Sequence, residues 1–206
     1  MNETKNDMLE SILLDKVVKK SMFMLLFSLS VTIFLSLATF NPDDQGWGVV
    51  SVNESTNFFG ETGAWVSGLI IREFGFIPGL LLVFVLFIWS LKLFNRSTIN
   101  FIKIKVLSLL LMIIVGSLGD AYLEILISEF ISSQISTIFQ EGYSDWIFIF
   151  FSENVSNLLG TDSLNSSHIL GISSLSISLV MFIWISSLGP AEINFFKFIL
   201  GPVIKP

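Results

Sequence analysis

The stretch SMFMLLFSLSVTIFLSLATF, Ser21–Phe40, holds no Asp, Glu, Lys or Arg, and the nearest charges on either side are Lys20 and Asp43. A bilayer's hydrocarbon core is about 30 Å thick, which takes roughly 20 apolar residues of helix at about 1.5 Å each. Ser21–Phe40 has that length and that chemistry, so it is predicted to cross a membrane. Three more stretches repeat the pattern. Phe76–Leu91 forms the centre of a second span between Arg72 and Lys92, with Trp89 near one end. Val106–Gly119 is short alone but reaches spanning length from about Ile99, with Lys103 and Lys105 snorkelling to the surface. His168–Leu188 lies in an uncharged window from Ser163 to Ala191 and is closed by Gly189 and Pro190.

Composition agrees. The 206 residues are 52% apolar with 21 Phe and only 14% charged, where a soluble domain has about a quarter of its residues charged. The absence of cysteine excludes disulfides, thiolate metal sites and thiol catalysis, and leaves the redox compartment unread. The net charge of −6 matters less than where each charge sits. With four spans and a cytoplasmic start, residues 1–20, 92–105 and 190–206 lie inside and hold every Lys and Arg except Arg72. That is the bias that orients membrane proteins. The acids fall mostly on the other side. A cleaved signal peptide is the rival for the first span, but acids match bases in the residues before it, and Leu37-Ala38-Thr39 is a poor cleavage site.

The expected fold is therefore an all-α membrane protein of four transmembrane helices, with periplasmic amphipathic helices and both termini cytoplasmic. Residues 1–20 form a cytoplasmic amphipathic segment, carrying Met8, Leu9, Ile12, Leu13 and Val17 at helical spacing. Residues 21–190 form the membrane domain, with spans at about 21–40, 76–91, 99–119 and 168–188 and periplasmic loops at 41–75 and 120–167. Residues 191–206 begin a juxtamembrane linker. In the second loop Leu123, Leu126, Ile127, Phe130, Ile131, Ile135 and Ile138 share one helical face, predicting a helix lying on the membrane. Were it a fifth span, Glu124 and Glu129 would enter the bilayer.

The motifs of chemistry are missing. No G-x-x-x-x-G-K-[ST], G-x-S-x-G or H-E-x-x-H occurs, and the one histidine, His168, stands where the fourth span enters the membrane. The centres of the spans hold no ionisable residue, which weighs against transport and intramembrane catalysis. No catalytic, cofactor-binding or metal-ligating residue is assigned, and no cofactor is expected. Ser173, Ser174, Ser176 and Ser178 could line a pore, although helix packing is the commoner use. Gly60, Ala64 and Gly68 recur every fourth residue, and Gly75 and Gly79 repeat the spacing; such seams let helices approach closely in lipid, while the plainer reading is that glycines mark turns. Asn57 is a candidate N-cap for a helix carrying the first seam, with Trp65 dipping into the interface. Asn41-Pro42-Asp43-Asp44 reads as a turn whose acids sit in water.

Ser36-Leu37-Ala38-Thr39-Phe40-Asn41-Pro42-Asp43-Asp44, followed by Asn57-Phe58-Phe59-Gly60-Glu61-Thr62-Gly63-Ala64-Trp65 and Phe74-Gly75-Phe76, resembles the N-terminal membrane domain of FtsK/SpoIIIE DNA translocases. In that family a first span ends in a Pro-Asp turn, and an Asn, spaced Gly and Gly-Ala motif leads through an amphipathic helix into the second. The resemblance is clear over residues 20–95 and implies Asn41, Pro42, Asp44, Asn57, Gly60, Gly63, Ala64, Gly68, Gly75 and Gly79 as motif and packing positions. It also implies a bacterial inner-membrane protein of the division septum, anchoring a cytoplasmic ATP-driven motor that pumps chromosomal DNA. The expected partners are the bilayer, membrane proteins of the division machinery and sister copies. Without a phosphate-binding loop, DNA pumping does not belong to these residues, and no direct contact with nucleic acid is expected. A small transporter or channel subunit is the alternative.

Overall fold

The computed structural model describes residues 2–52, 54–95, 97, 99–130, 150–154, 156–157, 163–189 and 193–194. Its principal elements are α1 (Asn2–Ala38), α2 (Gly60–Phe74), α3 (Phe76–Phe94), α4 (Ile102–Phe130) and α5 (Ser163–Ser186). Four stretches are long and apolar enough to cross a bilayer: Asp15–Ala38, Phe76–Phe94, Ile102–Leu123 and Ser167–Ser186. The expected four-span, all-helical class is what the molecule shows. Among the described residues the only strand-like feature is an isolated bridge between Gly46 and Val49.

Element boundaries depart from expectation in instructive ways. The helix of the first span runs unbroken from Asn2, so no separate segment ends at Lys20. The third helix begins at Ile102 rather than Ile99, because Phe101 turns the chain at φ 56°. It regains its length at the far end by running through Asp120, whose charge is absorbed inside the protein. The same helix continues to Phe130, taking in the start of the stretch expected to lie on the membrane; that stretch beyond Phe130 falls outside the described residues. So does most of the expected linker.

The four spans run up and down in sequence. Leu37 meets the start of α3 at Gly79, while Phe23 stacks on Phe94 at its end, with ring centroids 5.1 Å apart, so α1 and α3 are antiparallel. Tyr122 packs over Gly171 and Lys105 reaches Ser187, so α4 and α5 are antiparallel too. Ile33, Leu37, Ile70, Ile71, Val83 and Leu86 join α1, α2 and α3 in one apolar cluster. Val85, Trp89, Leu109, Met112 and Ile185 join α3, α4 and α5 in another. Leu26 of α1 touches both clusters and ties the halves together.

Lipid tails are as apolar as these side chains, so close backbone approach has to supply much of the adhesion between spans. The residues that permit it on α4 and α5 are glycines that spacing alone did not single out. A Cβ on Gly119 would stand 2.6 Å from Leu175, and one on Gly171 would stand 2.0 Å from the Tyr122 ring. Gly116 meets Pro78 of α3 in the same way. Ser174 and Ser178 are buried on α5 with their hydroxyls turned onto their own helix, donating to Gly171 and Leu175 carbonyls. Ser173 and Ser176 are exposed and likewise satisfied by their own helix.

Candidate functional site

The loop between α1 and α2 folds into a hydrogen-bonded cap at one end of the bundle. Asn41 starts it: its side-chain oxygen accepts the Asp43 amide at 3.1 Å and its carbonyl accepts the Asp44 amide at 3.2 Å. This is the turn that Asn-Pro-Asp-Asp predicts, with Pro42 stiffening it and its carbonyl accepting Arg72 Nη2 at 3.3 Å. Asp43 faces solvent, as expected. Asp44 does not: it is 5% exposed and accepts from the Thr56 amide (2.9 Å), the Thr56 hydroxyl (3.0 Å), the Ser55 hydroxyl (3.1 Å) and the Asn57 amide (3.0 Å). The charged residue read as solvated is the knot of the loop.

Burial alone would push the Asp44 carboxyl upward, but the Thr56 amide and hydroxyl, the Ser55 hydroxyl and the Asn57 amide outweigh it and hold it below its ordinary value of 3.8. A depressed carboxyl stabilises the folded state at pH values above its unfolded pKa, and that stability fades as pH falls through the folded one. Acidification below 3.8 is therefore expected to weaken the cap progressively. In Asp44→Asn this component of the acid-sensitive unfolding should be missing, as read from denaturation midpoints of both proteins across the acidic range. Identical acid sensitivity of variant and parent would show that the carboxylate is not held as described.

Asn57 links two helices. Its amide nitrogen donates to the Ser36 carbonyl at 2.9 Å and the Thr39 carbonyl at 3.1 Å, two of the acceptors that the end of α1 leaves without intrahelical partners. Its side-chain oxygen accepts the Phe59 amide at 3.2 Å, and its backbone carbonyl accepts the Gly60 amide at 2.8 Å. The N-cap position of α2 belongs to Phe59, which makes no side-chain cap bond. Asn57 thus corrects the N-cap expectation: it closes the C-terminus of α1 and steadies the turn into α2. Thr39 completes the joint, its hydroxyl donating to the Leu35 carbonyl at 2.7 Å and accepting the Phe58 amide at 3.0 Å.

The evenly spaced small residues divide by role. Gly60 opens α2 at φ +61° with open space around it, so it is a turn glycine. Gly63 lies beneath Asn57, whose oxygen would be 1.9 Å from an added Cβ. Ala64 and Gly68 floor a shelf for the preceding loop: Gly46 rests on the Ala64 carbonyl, and Trp47 rests on Gly68. Gly46 went unremarked in the sequence although an added Cβ there would stand 2.9 Å from the Ala64 carbonyl oxygen. Trp47 stacks edge-on with Trp65 at 5.5 Å and donates to Glu73. Trp65 is half exposed, as an interfacial anchor requires. Gly79 packs against Ile70 and Leu37. The seam serves this chain's own loop and helices.

Gly75 and Asp120 form a second lock. Gly75, at φ +95°, sends its amide back to the Ile70 and Ile71 carbonyls and so ends α2 and starts α3 in one residue. The first amides of α3 then need acceptors. Asp120 supplies them from α4, accepting from Phe76 at 3.0 Å and Ile77 at 2.9 Å. Pro78 has no amide, and Gly79 donates to the Gly75 carbonyl at 3.3 Å. Every amide of that helix start is accounted for. A side chain at Gly75 would strike the Asp120 carboxylate at 2.3 Å, which adds a steric need for glycine to the conformational one. Nearby, Tyr122 OH and His168 Nδ1 lie 2.8 Å apart, joining α4 to α5 at the same end. His168 thus takes part in the packing of α4 against α5.

These spans and their locked end define a multi-pass helical membrane domain. The family model described as the 4TM region of DNA translocase FtsK/SpoIIIE matches residues 15–134, more than half of the chain. The chain belongs to that family. The match takes in α1 from Asp15 onward and the whole of α2, α3 and α4, and the span in α5 lies beyond it. No curated protein and no solved structure matches significantly.

Proposed function

We propose that this chain is the membrane-anchoring and division-partner-binding domain of a septal DNA translocase system in the bacterial inner membrane, with both chain ends in the cytoplasm. Family membership over residues 15–134 is the observation that carries the reading. Charge placement supports the orientation. Lys16, Lys19, Lys20, Lys92, Lys103 and Lys105 gather at the bundle end remote from the cap, the end that positive side chains hold on the side of synthesis. The cap then faces the periplasm, where Val50, Val52 and Phe58 stand exposed on a loop that Asp44 and Asn57 hold in shape. The described parts of the spans carry ionisable side chains only near their ends, which suits an anchor better than a solute pathway.

A Val50→Asp, Val52→Asp double variant tests the reading without touching a packed residue, since both side chains are essentially fully exposed. A fluorescent fusion of the native chain is expected to gather at division sites, and the double variant to spread around the envelope at unchanged abundance. Uniform envelope distribution of the native fusion, together with a solute flux that follows its expression, would replace the anchor with the transporter alternative.

A further inference from the structure

The opposite end of the bundle holds a feature that anchoring alone does not explain. Lys105, in the first turn of α4, is 4% exposed. Its ammonium donates to the Ser187 hydroxyl at the end of α5 and lies 6.0 Å from the centroid of the Trp184 ring. Lys92, in the last turn of α3, is also buried. Among the described residues no carboxylate pairs with Lys105. An ammonium has three donors, so a hydroxyl and a ring face leave Lys105 short of both hydrogen-bond acceptors and negative charge. Burying such a group without an anion is unfavourable.

The surroundings of Lys105 are held in place. Trp89 Nε1 donates to the Ile185 carbonyl at 3.1 Å and fixes the last turn of α5 against α3. Ser187 then leaves the helix at φ 49°, and its hydroxyl accepts from Lys105 while donating to the Trp184 carbonyl at 3.2 Å. Trp184 is half exposed, the amphipathic placement expected at the depth of lipid headgroups. The ends of three spans converge here, at the level where a bilayer presents phosphate. We propose that Lys105, held where α4 meets the end of α5, binds the phosphate of an anionic phospholipid, the phosphate oxygens accepting from its ammonium group. Only the crossing of a bilayer by the four helices is required, whichever side the chain ends face and whatever the domain anchors.

Native mass spectrometry of the full chain, released from phosphatidylcholine nanodiscs containing phosphatidylglycerol, tests this. The native protein is expected to retain one phosphatidylglycerol, and Lys105→Gln to bind it about fivefold more weakly. Lys103→Gln, on an exposed neighbour, should retain it fully. Equal losses in the two variants, or none in Lys105→Gln, would overturn the site, since attraction to the surface at large would account for either. Should Lys105→Gln fail to fold, a photoreactive phosphatidylglycerol with the native chain decides: cross-links at residues 184–187 support the site at Lys105, and cross-links only elsewhere reject it. Displacement of the lipid by inorganic phosphate in detergent would overturn the lipid as the source.

Discussion

Asp120→Ala is expected to lower the unfolding midpoint of the purified protein in detergent more than the loss of any other acidic side chain in the described spans. The carboxylate accepts the first two amides of α3 from the following helix, 44 and 43 positions along the chain. The nearby Gly75 carbonyl already accepts from Gly79. Each buried amide left without a partner costs about 1–3 kcal/mol, and water is scarce at this depth. The two together reach about 2–6 kcal/mol, a large fraction of an ordinary folding free energy. Asp120→Asn keeps one acceptor oxygen and should fall between native and alanine proteins. Loss of helix by circular dichroism during heating reads all three. An Asp120→Ala midpoint equal to the native one would mean that α3 starts without this cap.

Gly63→Leu is expected to be the more damaging of the glycine substitutions on α2. Any Cβ at this position meets the Asn57 oxygen at 1.9 Å and its Cγ at 2.8 Å. Asn57 would have to leave, releasing the Ser36 and Thr39 carbonyls and the Phe59 amide together. Three hydrogen bonds at about 1 kcal/mol each, with overpacking of about 1–3 kcal/mol, put the loss near 4–6 kcal/mol. Gly60→Ala is the fitting control, because nothing lies within 4 Å of its added Cβ and only the positive φ opposes it. Limited proteolysis of the loop around Val50 should be fast in Gly63→Leu and near native in Gly60→Ala. Equal protection in both would refute the shelf described for Asn57. A failure of Gly63→Leu at the septum would follow from this collapse as readily as from a lost partner, which is why the exposed Val50 and Val52 serve as the functional test.

The contrast between these residues shows what a sequence makes legible. The spans could be read because lipid solvation writes itself as composition, residue after residue, over the length of a helix. The Asn41 turn could be read because its hydrogen bonds close within three residues. Asp44 and Asp120 were misplaced for the opposite reason. A lone carboxylate beside an apolar run looks like the point where water begins, and only partners 11 to 44 positions away reveal that each is satisfied inside. Lys105 is the cationic counterpart, expected to snorkel yet turned inward to Ser187. Gly60, Ala64 and Gly68 carry one spacing but two roles, since spacing reports which face of a helix a residue occupies and not what rests against that face.

Because the chain contains no cysteine, single introduced thiols can report its disposition without background. Val50→Cys places one on the fully exposed rim of the cap, and Lys103→Cys places one at the other end of the bundle. Labelling with a membrane-impermeant maleimide before and after permeabilising the cells compares the two sides directly. A chain that threads the bilayer four times with its cap outside will show the thiol at 50 labelled in intact cells and the thiol at 103 labelled only once the membrane is opened. Equal labelling of both in intact cells, or the reverse order, would contradict that arrangement.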